Sequence, residues 1–412
     1  MTQFYKISLL ILALIVLGLT GYIFFRRAYI WFISWDDHRR SSYWKPVIKV
    51  WLDSSSREAD EFMYSALSAR DLEIVSGLCM EYIKNHDGMA RSKLLQWLDE
   101  RGCIDQFIRQ VKSSNRWERA RAIESLGLIK NIEAEAALVS ALEDPVFDVR
   151  IRAARALGLM GGQKARTALV SALGDEGRWS VIRIADILGQ MGSYVVNDLI
   201  RAFPNLGSSS RIAALDVIIR LANTSHLQFL LSCLLDKDVE VRTRAVTGLG
   251  RIGNATALPS LIYALHDRDW PVRAKTAKAL GNLGFTHPIP ALIDCLSDRE
   301  WWVRYSAAEA LSKLGEEGAE ALINSLSSSD VFCRDQAFSM LQSSGDLACR
   351  LEQIISKSPE AVAKAQNIAV KLIDHLSLQG FIDFCETLPN PDVRTSLWMI
   401  FQRYSKYSES AA

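Results

Sequence analysis

The feature that most constrains this chain is a spacing. An arginine, often preceded by valine, is followed seven residues later by an apolar residue and often then by glycine; it recurs at Arg119, Arg150, Arg242, Arg273, Arg304 and Arg334. Representative segments are VRIRAARALG, VRTRAVTGLG and VRAKTAKALG. Two weaker copies fill the gaps, one with Val181 in the arginine slot and one at Arg211. Successive anchors are separated by 31, 31, 30, 31, 31, 31 and 30 residues. A fixed period of this length marks stacked supersecondary units, none of which can bury its apolar face alone.

Each unit also carries an earlier apolar run, such as residues 165–173, 257–265 or 288–296. An aspartate stands six residues before the anchor at Asp144, Asp175, Asp236, Asp267 and Asp298. Glycine closes the unit at Gly161, Gly192, Gly253, Gly284 or Gly315, as a left-handed helix cap requires. The unit therefore reads as helix A, a short turn, helix B and a stop. This pattern resembles the HEAT repeat, in particular the short HEAT-like units of phycobilin lyases. The resemblance implies an all-α fold, a right-handed α-solenoid of HEAT-like helix pairs of about 31 residues each. It also implies that helix B lines the concave side and that the turn arginines and aspartates form a ladder, interrupted here at Val181 and Ser328. Of function it says little. Residues 116–345 form the repeats, 51–115 a helical N-terminal cap, 346–405 a helical C-terminal cap and 406–412 a disordered tail. Arg394 and Phe401 have the spacing of one last unit.

Residues 7–25 carry no charge and would rise about 28 Å as a helix, near the thickness of bilayer hydrocarbon. Residues 1–27 therefore read as a transmembrane anchor, uncleaved because no small-x-small site follows. The flank Arg26, Arg27, Arg39, Arg40 and Lys45 outweighs Lys6, which places the solenoid on the cytoplasmic side of a single-pass inner or cytoplasmic membrane protein. A periplasmic solenoid is the opposite orientation. The aromatic, basic segment 28–50 holds Tyr29, Trp31, Phe32, Trp35, Tyr43 and Trp44, with Trp51 just beyond. It suits either a headgroup layer or packing on the first helices.

Lysine plus arginine (48) nearly cancel aspartate plus glutamate (47), so a polyanionic partner cannot be argued from total charge. Seven scattered cysteines without a CxxC pair read as free thiols inside helices, which favours a reducing compartment. No HExxH, GxSxG or glycine-rich phosphate loop occurs. None of the six histidines adjoins a glutamate, so the His-Glu metal motif of HEAT-type deoxyhypusine hydroxylases is missing. We therefore expect no catalytic residue, cofactor or metal. The expected function is a membrane-anchored scaffold or adaptor for protein partners; the alternative is a lyase-like or other enzyme that uses the solenoid to bind a substrate protein.

Laid out at 100° per residue, helix-B offsets −1, +3, +4 and +7 are almost all apolar and read as core-facing, whereas +2, +5 and +9 read as facing solvent. From Arg119 to Arg304 the outward set contains ten basic and four acidic residues. The candidate partner-binding cations are Arg121, Arg152, Arg155, Arg183, Arg244, Arg251, Lys275 and Lys278. A solvated helix face is the plainer reading of this stripe, and a groove for an acidic protein segment the sharper one. Interleaved carboxylates argue against nucleic acid. Trp179, Trp270, Trp301 and Trp302 fall in the A–B turns beside Trp117, Phe147 and Phe332. There they either plug the core's end, the favoured reading, or offer an exposed binding edge. Oligomeric state is left open.

Overall fold

The computed structural model describes the backbone of residues 2–54 and 56–411 and the side chains of 15–54 and 56–404. No strand occurs among the described residues. The chain divides into two compact units, Met1–Leu169 and Val170–Ala412.

The first unit opens with α1 (Thr2–Asp53), α2 (Arg57–Met63), α3 (Ala69–Asn85) and α4 (Met89–Glu100). Repeats follow as A–B pairs: α5 (Cys103–Gln110) with α6 (Arg116–Ile129), then α7 (Glu135–Ala141) with α8 (Phe147–Met160). The boundary between units falls within α9 (Gln163–Gly174), and α10 (Val181–Gln190) follows it along the chain. Next come α11 (Tyr194–Ala202) with α12 (Ser208–Leu221), α13 (Leu227–Cys233) with α14 (Val239–Ile252), and α15 (Leu258–Ala264) with α16 (Trp270–Leu283). The pairs α17 (Ile289–Asp294) with α18 (Trp301–Lys313) and α19 (Gly315–Ser325) with α20 (Val331–Ser343) complete the anchored repeats. The chain continues through α21 (Asp346–Glu352), α22 (Pro359–His375), α23 (Leu378–Thr387) and α24 (Pro391–Ala411).

Local chemistry starts and stops these helices. Asn115, Asp238 and Asp330 accept hydrogen bonds from backbone N–H groups in the first turns of α6, α14 and α20. Gly161, Gly253 and Gly284 close α8, α14 and α16 in the left-handed region, at φ of 72°, 71° and 75°. B helices then pack on B helices: α6 on α8 in the first unit, and α10, α12, α14, α16, α18 and α20 in succession in the second. Their inner residues are fully buried, among them Leu126, Leu157, Leu249, Leu280 and Leu311, each seven residues after its anchor. Removing such side chains from water supplies about 2 kcal/mol apiece.

The ladder implied by the resemblance is present in both units. Arg119 Nε donates to Asp144 Oδ2 at 2.6 Å, Arg242 grips Asp267 at 2.8 and 3.0 Å, and Arg273 grips Asp298 at 2.7 and 2.9 Å. Arg211 pairs with Asp236 through Nη2 alone. Arg119, Arg242 and Arg273 also donate to their own turns, Arg242 to the Asp236 carbonyl and Arg273 to the Asp267 carbonyl, both at 2.8 Å. Burial alone would raise the Asp298 carboxyl, but Arg273 and the Glu300 N–H outweigh it and hold that carboxyl below its ordinary range. Where Ser328 replaces aspartate, Arg304 instead lies 4.6 Å from the centre of the Phe332 ring.

The membrane expectation is corrected. Among the described residues no helix is long and apolar enough to cross a membrane. Helix α1 is long, but among its described side chains Arg26 and Arg27 interrupt the apolar stretch and Asp36, Asp37, Arg39 and Arg40 follow. Residues 7–14 of the expected span lie outside the described side chains. The transmembrane anchor, the membrane contact through residues 7–25 and the single-pass inner or cytoplasmic membrane placement fall together. The tail 406–412 likewise lies outside the described side chains.

The C-terminal part of α1 docks on α3. Arg40 pairs with Asp71 at 2.9 Å, Arg70 with Asp37 at 2.6 Å, and Trp44 Nε1 donates to Asp71 at 3.3 Å. Trp44 and Trp51 are buried there, whereas Tyr29, Trp31, Phe32, Trp35 and Tyr43 stay exposed. The two readings of this aromatic segment thus divide by residue, because Trp44 meets α2 and α3 and Trp51 meets α2 and α4, while the exposed rings stand outside those contacts.

Candidate protein-docking face

The outward face of the B helices is not uniformly basic once its side chains are placed. Arg152 on α8 is half-buried and pairs with Glu124 on α6 and with Asp148 one turn back, the latter at 3.0 Å. Arg244 on α14 does the same with Asp216 on α12, at 2.8 Å, and with Glu240. The hydrogen bond that Arg152 donates to Asp148 is the main influence that raises the Arg152 pKa. For Arg244 burial works against the charge, yet Glu240 and Asp216 still raise it. Both guanidiniums are therefore committed within the chain.

The rule behind these pairs lies in the repeat. A side chain two residues after one anchor meets the side chain five residues after the preceding anchor, a separation of 28 residues in both cases. Glu124 and Asp216 are two of the four acidic residues of that outward set, and here they are partners of its arginines. An acid 28 residues before an arginine was the signal that could have found them.

The remaining candidates fall into different settings. Arg121 is exposed and lines a groove of about 340 Å³ between α3, α5 and α6, where Glu73, Glu81 and Glu124 also sit. Arg155 and Arg183 are exposed on α8 and α10. Arg251, Lys275 and Lys278 are exposed and brought together in one groove of about 240 Å³ between α14 and α16, completed by Thr247, Gly250, Ala279 and Asn282. No carboxylate lines it.

Among the turn aromatics only Trp179, in the repeat whose anchor is Val181, is buried. Trp117, Phe147, Trp270, Trp301, Trp302 and Phe332 are all exposed, from 40% to 61%. The plug expectation therefore holds at one position of seven. The physical reason is placement: most of these rings sit in the first turn of a B helix, beyond the apolar seam. Trp301 packs edge-on against Trp302 at 4.7 Å and stacks on Tyr305 at 5.2 Å, a contact the spacing did not reveal.

Among the described residues no group of three or more histidine, cysteine, aspartate or glutamate side chains is placed to hold a metal ion. Cys79, Cys103, Cys233, Cys295 and Cys333 are buried free thiols, Cys385 is half-buried and Cys349 is exposed.

Residues 104–202, 208–269 and 258–342, together more than half of the chain, match the family model for HEAT repeats. No curated protein matches. Among solved structures the chain is similar to an engineered protein at 16% identity and TM-score 0.33, covering 87% of this chain and 98% of that one. It is also similar to the karyopherin Kap121p bound to the extreme C-terminus of the protein phosphatase Cdc14p, at 14% identity and TM-score 0.46, covering 82% and 46%. A third is human deoxyhypusine hydroxylase in complex with glycerol, at 20% identity and TM-score 0.27, covering 60% and 98%. The chain spans about half the length of the karyopherin chains it matches. At TM-scores below 0.5 none of these likenesses bears on what the chain binds. On the strength of its own repeats, this chain belongs to the HEAT-repeat proteins.

Proposed function

We propose that this HEAT-repeat chain is a docking scaffold for another protein, and that it receives an acidic segment of that partner on the outward face of its B helices. One observation carries the reading: Arg251, Lys275 and Lys278 line a single groove that holds no carboxylate. Elsewhere on the same face Arg152 and Arg244 already have acidic partners, so attraction for an external anion concentrates at α14 and α16. Clustered like charge steers an oppositely charged segment and fixes its register more than it adds raw affinity. Repeat stacking supplies the extended surface on which such a segment lies.

The test is fluorescence anisotropy of a labelled Asp/Glu-rich peptide titrated with the full chain. Binding should weaken as salt is raised, and should weaken by about tenfold or more in a Lys275→Glu/Lys278→Glu variant. A Lys/Arg-rich peptide of equal length should not bind. Equal capture of both peptides, or capture indifferent to the double substitution, refutes the proposal.

A further inference from the structure

Arg152 and Arg244 show what a cation two residues after an anchor meets in this fold. Each has one carboxylate on the preceding B helix, Glu124 or Asp216, and a second on its own helix, Asp148 or Glu240. Two negative charges hold each guanidinium. Lys275 occupies the same repeat position on α16, but Thr247 stands where Glu124 or Asp216 would be, and Pro271 where Asp148 or Glu240 would be. Both carboxylates are gone at this rung, while Arg251 and Lys278 add two further cations to the groove.

We infer that the groove between α14 and α16 binds a phosphomonoester dianion, carried as a phosphorylated serine or threonine within the acidic segment of the docked partner. The inference rests on the docking function proposed above and names what that segment must bring. A phosphorylated side chain carries about −1.5 to −2 charges and three acceptor oxygens near neutrality, so one group replaces two absent carboxylates. A single glutamate would replace only one.

The donors around the groove are partly set in place. Arg251 donates one Nη1–H to the Ile219 carbonyl near the end of α12, which tethers its guanidinium while leaving other N–H donors for a ligand. Asn282 accepts from Lys313 Nζ at 3.2 Å through Oδ1, so its Nδ2 group remains as a donor. Thr247 spends its hydroxyl proton on the Thr243 carbonyl at 3.0 Å and brings no negative charge. Beneath them Gly250 lies against Ala279, where an added Cβ would stand 3.1 Å from the alanine Cβ. That close approach draws the cation-bearing faces of α14 and α16 together. Charge-assisted hydrogen bonds to phosphate are roughly twice as strong as neutral ones.

Isothermal titration of the full chain with three Asp/Glu-rich peptides, identical except for a central phosphoserine, glutamate or serine, tests this. The phosphoserine peptide should bind at least about tenfold more tightly than the glutamate peptide. Thr247→Glu restores the missing carboxylate within the chain and should abolish that advantage, as should Lys275→Met, with unchanged melting temperatures showing that both variants fold. Equal affinity for the phosphoserine and glutamate peptides overturns the phosphate site and leaves acidic-segment docking standing. No binding of any peptide overturns both. A phosphoserine advantage that survives Thr247→Glu and Lys275→Met overturns the assignment to this groove.

Discussion

A Cβ placed on Gly281 would stand 2.5 Å from the Cα of Ala310, so α16 and α18 meet there backbone to backbone. The relationship recurs between Gly127 and Ala156 and, more loosely, between Gly250 and Ala279. In each pair the glycine lies eight residues after its anchor and the alanine six after the next. Small residues at these two offsets let consecutive B helices approach closely.

Gly281→Ala should therefore destabilise the protein by about 1–3 kcal/mol, because the added methyl forces neighbouring helices apart. Gly77→Ala, in α3 with nothing within 4 Å of the new Cβ, should instead stabilise by about 0.5–1 kcal/mol. Thermal melts of the two variants should shift in opposite directions; a neutral Gly281→Ala would refute the close approach.

Lys130 is the only described non-glycine residue at positive φ, at 61°, and it caps α6 where most other repeats use glycine. A left-handed conformation costs an ordinary L-residue about 1–2 kcal/mol. Lys130→Gly should raise the melting temperature, offset in part by the greater freedom of glycine in the unfolded chain.

The Arg273–Asp298 pair is mostly buried, with 9% and 13% of the two side chains exposed. Asp298→Ala should cost about 3 kcal/mol, since it strands a buried guanidinium, and Arg273→Met/Asp298→Leu should cost less than either single change. The carboxyls of Asp144, Asp236 and Asp298 all lie below their ordinary range in the fold, where backbone N–H groups and their arginine partners together overcome the opposing effect of burial. The unfolded chain then takes up protons first. This stability is present above the ordinary carboxylate value of about 4 and is lost as pH falls through the lower folded values. Denaturation midpoints measured down the acid range should show the loss, and Asp298→Asn should flatten it.

His375 titrates in the opposite environment. Burial lowers its pKa against the pull of Asp335, whose Oδ1 lies 3.6 Å away, while Arg334 adds to the lowering. Its ring packs beside Phe338, 5.5 Å between centres. The unfolded imidazole takes its proton at higher pH than the folded one, so stability should fall as pH drops below about 6.5. His375→Phe should remove that slope; a slope unchanged in the variant would assign it to other groups.

Alkylation should begin at Cys349, which is exposed, and continue more slowly at Cys385. Burial pushes the Cys233 and Cys295 thiols up to about 12, which suppresses the thiolate as well as access. Mass spectrometry of the native chain after brief iodoacetamide treatment should find those two unmodified until denaturant is added. Early modification of Cys295 would contradict its place in the core.

The helix pairs, their order and their glycine stops could be read directly from the chain. Gly161, Gly192, Gly253, Gly284 and Gly315 all adopt left-handed φ, as their spacing had indicated. These features depend on side chains within one or two turns of each other, and a repeat states them many times over. Which cations stay available could not be read in that way. Arg152 and Arg244 hold the same place in their repeats as Lys275, and differ because the neighbouring helix does or does not carry a carboxylate that packing brings beside them. The exposed turn aromatics and the docking of α1 on α3 belong to the same class. Local propensity settles which residues coil, whereas solvent exposure and charge pairing depend on what packing brings alongside. That is a property of contacts between distant segments, and no single repeat records it.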